Sequence, residues 1–357
     1  MSDQLYYALT DKVLDVPGAF VLIDGQFGST GKGLIAAALG KRFGHRCDVC
    51  TTNAGPNSGH TFYNRYGGKM VLKQIPSFAA STEDWYAPGH KMTTYLNSGA
   101  IINPSVLESD VYTCGVIPSI DPFAAVIDND AVSNDAVTER RIASTGQGVG
   151  PALAYKINRN PDAVMESATS RIKMDLTKFK VDRPHINFHA SRAFVEVAQG
   201  FSLGINSGFY PYTTSRECTV QQAISDARIP ISRVKDVCMA VRTYPIRVGN
   251  TENSSGPPYE DQAEIEWEDI GVEPEYTTVT GRKRRVFTWS NTQFREAVRI
   301  NEPNIIFINF LNYLDEKGEQ SAFIDNVIHQ YKLEMRKEPE LVLGGFGPKD
   351  EDIEVLT

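Results

Sequence analysis

A lysine inside a glycine-rich turn is the first sign of chemistry in this sequence. In Gly25-Gln26-Phe27-Gly28-Ser29-Thr30-Gly31-Lys32-Gly33, the glycines let successive backbone N–H groups converge on an anion. A helix starting there would add its partial positive charge, and Lys32 would lie across phosphate oxygens. The spacing is not that of an ordinary P-loop. Thr30 stands where that motif has glycine, and Gly33 follows the lysine where Ser or Thr would meet magnesium. A tight strand-to-helix turn is the plainer alternative. A second loop, Asn53-Ala54-Gly55-Pro56-Asn57-Ser58-Gly59-His60-Thr61, sets an imidazole among bent backbone and free amides, where it can serve as acid or base near neutral pH. A third segment, Thr277-Thr278-Val279-Thr280-Gly281-Arg282-Lys283-Arg284-Arg285, presents four consecutive cations. In an acidic chain their guanidinium forks suit a small carboxylate or phosphate, although a solvated basic face has the same composition. His185 and His189 lack acidic or cysteine partners at metal-ligand spacing and read as structural.

These groups need a scaffold, and the flanking residues supply one. Gly18-Ala19-Phe20-Val21-Leu22-Ile23-Asp24 reads as a strand buried on both faces. After the glycine turn, Leu34 to Gly40 reads as a helix of good formers. Strand, glycine turn and helix open an α/β nucleotide-binding fold. Further short apolar runs follow at Ala124–Ile127, Phe194–Val197, Val237–Val241 and Ile305–Leu311, with a polar loop at Ser144–Pro151. Residues 250–275, acidic and rich in Pro, Gly and Ser, read as an exposed excursion. No repeat or sharp linker divides the chain, so residues 1–357 are expected to form one elaborated α/β domain.

Composition removes several classes of function. With 41% apolar and 22% charged residues, the 357-residue chain is neither disordered nor membrane-spanning, since no run approaches the roughly 20 apolar residues a span requires. Lysine and arginine total 36 against 44 acidic residues, a net charge of −8, which disfavours binding of a nucleic-acid polymer. Met1-Ser2-Asp3-Gln4 shows no secretory signal, and the five scattered cysteines suggest no disulfide framework. Cys47-Asp48-Val49-Cys50 has no second pair to complete a zinc site, so buried thiols in a reducing cytoplasm are expected.

Taken in order, these motifs resemble the adenylosuccinate synthetase family. Gly25–Gly33 is similar to its GQWGDEGKG loop, Asn57-Ser58-Gly59-His60-Thr61 to NAGHT, and Ile75-Pro76-Ser77 to IPS. Ser144–Pro151 resembles TTGRGIGP, while Ala198-Gln199-Gly200 with Tyr210–Ser215 resembles AQG…YPYVTS. Arg247-Val248-Gly249, Thr280–Arg285 and Gly347-Pro348 complete a series running from Gly25 to Pro348. The resemblance implies a single large α/β domain with a mainly parallel central sheet flanked by helices, loop-rich excursions and a P-loop-GTPase-like fold. It also implies a ligase that joins L-aspartate to C6 of a purine monophosphate, using a triphosphate and Mg2+ through a 6-phosphoryl intermediate. On the same ground Ser29, Lys32 and His60 take the catalytic positions, with His60 as general acid. Ser29, Thr30, Gly31, Lys32, Asn57, Ser58, Gly59, His60, Thr145, Gln199, Thr214 and Arg282 would meet the purine monophosphate. Arg159 would reach the nucleotide of a second subunit in a homodimer. The triphosphate would lie along Gly28 to Leu34, Gly59 to Thr61, Arg284, Tyr313, Leu314, Asp315, Gly345, Phe346 and Gly347. The aspartate substrate would meet Thr278, Val279, Thr280, Gly281, Arg282, Lys283 and Arg284, and Mg2+ would meet Ser29 and Gly59.

Two departures from the family pattern carry information. Ser29 replaces the aspartate that takes the purine N1 proton and coordinates magnesium, and a hydroxyl is a poor base and weak cation ligand. The other motifs persist, so a changed substrate is the better reading. Guanine carries a 2-amino group beside N1, and serine leaves room for it. This resembles the phage branch of the family, which converts dGMP; the setting would then be the host cytoplasm. In addition, Asn312-Tyr313-Leu314-Asp315 stands for the guanine-reading TKLD, and Leu34 replaces a second lysine, so ATP or dATP replaces GTP as expected donor. The alternatives are a conventional synthetase acting on IMP and an inactive nucleotide-binding regulator.

Overall fold

In the computed structural model, which describes residues 3–64, 66–82, 91–167, 178–314 and 317–357, the apolar run after Pro17 forms strand β1 (Gly18–Asp24), buried along its whole length. Its side chains alternate between two cores: Ala19, Val21 and Ile23 enter one, Phe20 and Leu22 the other. Period-two alternation between two covered faces is why this strand reads as an unbroken apolar run. The other strands of the same sheet are β2 (Val49–Thr52), β3 (Thr93–Leu96), β4 (Ser119–Ile120), β5 (Lys180–Val181), β6 (Arg192–Glu196), β7 (Val234–Arg242), β8 (Ile305–Asn309), β9 (Leu341–Gly345) and β10 (Ile353–Val355). They lie in the order β10-β9-β8-β7-β1-β6-β2-β3-β4-β5. Every pairing is parallel except β9 with β10. This is the mainly parallel α/β sheet expected.

The helix after the glycine turn runs Lys32–Phe43, longer than the apolar run suggested, with Gly31 as its N-cap at φ 87. Gly31 has to be glycine twice over: its φ is left-handed, and an added Cβ would run into Nδ2 of Asn309. Strand β7 also exceeds its apolar core, because its first residues lie half-exposed or exposed at the sheet's entry. The Ser144–Pro151 segment ends not as loop but as a helix, Val149–Ile157, capped by Gly148 at φ 79. Pro151 is tolerated there because the first-turn amides have no intrahelical acceptor. Strand β8 stops at Asn309, where Phe310 turns left-handed at φ 61. Residues 250–275 lie largely at the surface but are pinned by buried Ser255, Tyr259 and Trp267. There Glu264–Ile265 joins a small antiparallel sheet with Ile246–Arg247 and Arg285–Phe287. Among the described residues, no helix is long and apolar enough to cross a membrane.

The strands converge on function at one edge. Neighbouring strands β8, β7, β1 and β6 end in Asn309, Arg242, Asp24 and Glu196, and all four side chains are buried. Polar residues at the carboxyl ends of parallel strands mark where such sheets bind ligands. Apolar packing sets their position. Phe194, two residues before Glu196, stacks on Phe20 at 5.4 Å and on Phe78 at 4.0 Å between ring centroids. Replacing Phe194 with alanine should cost about 3–5 kcal/mol of stability in urea unfolding. A loss below about 1 kcal/mol would mean the aromatic stack does not hold β6 in place.

Candidate active site

Beneath the glycine-rich turn, the carboxylate of Asp24 organises the loop from inside. Its Oδ1 accepts the backbone N–H of Gln26 at 2.9 Å and of Gly28 at 3.2 Å. Its Oδ2 accepts the Thr30 hydroxyl at 2.6 Å and the Lys32 ammonium at 3.0 Å. Lys32 also donates to the Gln199 carbonyl at 2.8 Å. Gly200 allows that approach, since a Cβ there would collide with Gly28 N and Gln26 O. The backbone is strained around this centre. Ser29 (φ 57), Gln199 (φ 68) and Phe310 (φ 61) all adopt the left-handed region, which non-glycine residues hold only when their surroundings over-determine it. Ser29 is thereby carried to the cavity wall while Thr30 turns inward, fully buried.

His60 opens a hairpin strand, His60–Tyr63, paired with Lys69–Leu72. Its Nδ1 lies 3.2 Å from Oε1 of Glu196. The other oxygen of Glu196 accepts the Phe78 N–H at 3.1 Å. Burial pushes the Glu196 carboxyl up to about 7. Burial, and then the charge of Lys32, pushes the His60 imidazole down to about 3. Without ligand the imidazole is therefore neutral near neutral pH, while the carboxyl keeps its proton to a far higher pH than an ordinary glutamate. An anion arriving beside the imidazole reverses that preference, because the opposite charge stabilises an imidazolium with Glu196 as its carboxylate.

The cavity above this floor has a volume of about 1080 Å3, beyond the roughly 300–1,000 Å3 usual for one small ligand. Gly28 to Leu34 and Asn57 to Thr61 line it, as do Thr145, Gln199 and Thr214. Thr278, Val279, Arg284 and Tyr313 line another side, and Gly347 reaches it from the end of β9. Not every expected residue borders the cavity. Thr280 bonds Thr277 and Arg282. Arg282 donates instead to the carbonyls of Ala143 and Ser144 at the rim. Lys283 turns outward to Glu266 and Glu268, and Gly281, at φ 67, forms the turn between them. Leu314 and Phe346 pack on the main core, and Gly345 sits against Asn309. Arg159 is exposed beyond the Val149–Ile157 helix, and Asp315 lies outside the described residues. Cys47, Cys50, Cys218 and Cys238 are buried thiols, as expected, whereas Cys114 is only half-buried.

Asp24, Glu196, Arg242, Glu275 and Asn309 were not picked out by motif. The signal for most of them was the polar residue that ends each apolar run, at the sheet's carboxyl edge. For magnesium, the site offers neutral oxygens, the Ser29 hydroxyl and the Gly59 carbonyl. Among the described residues no cluster of three or more His, Cys, Asp or Glu could hold a metal. Such a donor set fits an ion that arrives on phosphates and keeps several waters, as magnesium commonly does.

The Glu196 carboxyl also has a consequence for stability. With a folded pKa near 7 against an ordinary 4.5, it holds its proton more tightly when folded. Its contribution is therefore full below about pH 4.5 and lost as the pH climbs through about 7. His60, shifted downward, contributes the opposite slope. Glu196→Gln should have a thermal midpoint that falls less than the wild type's across that window. An unchanged slope would assign the pH dependence to other groups.

Comparison with known proteins agrees with this geometry. The family model described as adenylosuccinate synthetase matches residues 21–178 and 166–337. The N6-succino-2-amino-2'-deoxyadenylate synthase of Salmonella phage PMBT28 is 36% identical over 367 residues, covering 94% of this chain and 97% of that protein. The succinoaminodeoxyadenylate synthetase of cyanophage S-2L, solved bound to dGMP and to dATP as an energy donor, aligns at a TM-score of 0.81 and 30% identity over 95% of both chains. Fully ligated adenylosuccinate synthetase from Plasmodium falciparum shares the fold at a TM-score of 0.73 and 18% identity, over 95% of this chain and 99% of that one. The collinear motifs, the parallel sheet and these likenesses agree: the chain belongs to the adenylosuccinate synthetase family.

Proposed function

We propose that this protein joins L-aspartate to C6 of dGMP, with dATP or ATP as the energy donor, giving 2-amino-2'-deoxyadenylosuccinate, the nucleoside diphosphate and phosphate. The observation that carries the reading is Ser29, a small hydroxyl on the cavity wall where the family pattern has a carboxylate. Serine leaves space beside purine N1 for the 2-amino group of guanine. The phage relatives, at 36% and 30% identity, are named for the corresponding product, and the S-2L protein binds dGMP and dATP.

The reaction proceeds in two displacements. The guanine O6 attacks the γ-phosphorus of the donor while the N1 proton passes to solvent water, and the diphosphate departs. The aspartate amine then attacks C6, the C6–O bond breaks, and phosphate leaves with its oxygen. Lys32, released from Asp24, and the N-terminus of the Lys32–Phe43 helix neutralise the transferring phosphoryl group. His60, gaining a proton as anionic charge gathers beside it, donates to that group, while Glu196 stabilises the imidazolium. Magnesium, held mainly by the donor's phosphates and supplemented by Ser29 and Gly59, would neutralise phosphate charge. Gln199, Thr145 and Thr214, all on the cavity lining, meet the purine monophosphate. Arg284 and Thr278 to Val279 face the aspartate and the triphosphate. Tyr313, in place of a lysine, suits an adenine-bearing donor. The setting for such a phage-type enzyme is the host cytoplasm.

Arg159, exposed and not among the residues that line its own cavity, completes the site of a second subunit in a homodimer. Mixing Arg159→Leu with His60→Ala subunits should restore about one quarter of wild-type activity, because half of the dimers are hybrids with one intact site. No recovery after verified subunit exchange would contradict the shared site. His60→Ala alone should retain nucleotide binding and lose about 100-fold in turnover.

The substrate assignment is tested at Ser29. Ser29→Asp should lower kcat/KM for dGMP by about ten- to 200-fold, the usual scale for a small group that clashes, and gain activity with IMP. Ser29→Ala should keep dGMP activity if serine mainly supplies space. Equal use of dGMP by Ser29→Asp and wild type would overturn the reading.

A further inference from the structure

Arg242 ends strand β7 inside the molecule, fully buried. Its backbone N–H donates to Oε1 of Gln26 at 2.9 Å, and its carbonyl accepts from Nε2 of the same side chain at 3.1 Å. The strand end is thus locked to the glycine-rich turn. Its guanidinium then reaches three segments at once. Nη1 donates to the Ser29 carbonyl at 3.1 Å. Nη2 and Nη1 grip the Glu275 carboxylate at 2.5 and 3.4 Å. The guanidinium plane lies over the Phe310 ring, 3.9 Å from its centroid, with the Tyr313 ring at 5.8 Å. Tyr313 closes the circuit by donating its hydroxyl to Glu275 at 3.2 Å. The Glu275 carbonyl accepts the N–H of Arg284 at 2.8 Å, so the cluster extends to a cavity-lining cation.

We propose that Arg242 is a positioning residue that couples the three ligand subsites, fixing the Ser29 carbonyl, the Glu275–Arg284 loop and the Phe310–Tyr313 segment in one arrangement. The identity of those subsites rests on the function proposed above, but the link between the segments rests on geometry alone. A planar fork stacked on an aromatic ring has one way to satisfy all three partners. Lysine can keep the charge but neither the stack nor the two-pronged grip. Coupling of this kind means that a donor seated on Phe310 and Tyr313 biases the loop that receives aspartate, and that aspartate does the same for the donor.

The test is a double-mutant cycle of Arg242→Met and Glu275→Gln, with Arg242→Lys as the conservative variant. In the wild type, KM for aspartate should fall as dATP rises from subsaturating to saturating. Arg242→Met should abolish that dependence, raise KM for aspartate about fivefold or more and lower kcat about tenfold. The thermal stabilisation given by dGMP alone should persist. Arg242→Lys should recover only part of the loss. The double variant should be no worse than either single one, since the two residues act as a unit. Additive losses, or a wild-type dependence of aspartate KM on dATP in Arg242→Met, would overturn the proposal. If Arg242→Met does not fold, Glu275→Gln and Tyr313→Phe, which leave the buried arginine in place, must show the same loss of dependence; its persistence in both would equally overturn it. Should the wild type turn over IMP rather than dGMP, the cycle is run with IMP. The substrate reading would then fail while the coupling is still decided.

Discussion

Two charges buried together beneath a glycine-rich turn set the terms for the rest of the site. Removing Asp24 and Lys32 from water costs several kcal/mol per ion, and only close pairing with further hydrogen bonds offsets that cost. The Asp24 carboxylate meets the condition with Gln26 N, Gly28 N, the Thr30 hydroxyl and the Lys32 ammonium. Satisfying all of them leaves the turn little freedom. Thr30 must point down, Ser29 must take a left-handed conformation at the wall, and the Lys32–Phe43 helix must start with its free amides facing the cavity. Lys32 is held by a carboxylate and the Gln199 carbonyl, a position from which phosphate oxygens can take it over.

The same economy explains how one cavity can host a three-substrate reaction. Its floor is the carboxyl edge of the sheet, where neighbouring strands present Asn309, Arg242, Asp24 and Glu196. Three of these buried polar residues hold the same glycine-rich turn, and the fourth backs the hairpin that carries His60. Asp24 shapes the phosphate turn, Glu196 backs His60, Arg242 reaches Ser29 and Glu275, and Asn309 touches the Thr30 carbonyl at 3.3 Å. The candidate groups for chemistry thus sit on a turn, a helix start and a hairpin, each held from below by buried residues of the sheet. Ser29 is the exception that gives the site its character. Its side chain carries no charge, so the carboxylates at this cavity are those of Asp135 and Glu275 on its wall and of Asp24 beneath the turn.

The motif residues were legible because glycine, histidine and lysine in close spacing carry chemical meaning without tertiary context. The strand Gly18–Asp24 and its helix were legible for a similar reason, since burial on both faces leaves an unbroken apolar run. Asp24 itself was read only as the strand's end, because nothing local shows that four donors converge on it. Glu196 and Arg242 were hidden in the same way: their partners His60, Ser29 and Glu275 lie far away in sequence. In the basic run, composition could not separate Arg284, which lines the cavity, from Lys283, which turns to surface glutamates. Alternation in a short twisted loop decides that, and it is a property of the folded backbone.

The central claim is that this cavity selects a 2-amino purine. The most direct measurement is a competition: equimolar dGMP and IMP, with saturating L-aspartate, dATP and magnesium, and both products resolved during the first few per cent of conversion. The product ratio equals the ratio of kcat/KM values, free of differences in enzyme concentration or activity. The account predicts that 2-amino-2'-deoxyadenylosuccinate predominates by at least about tenfold. Predominance of adenylosuccinate would contradict it, and would return Ser29 to the role of an unusual residue in a conventional synthetase.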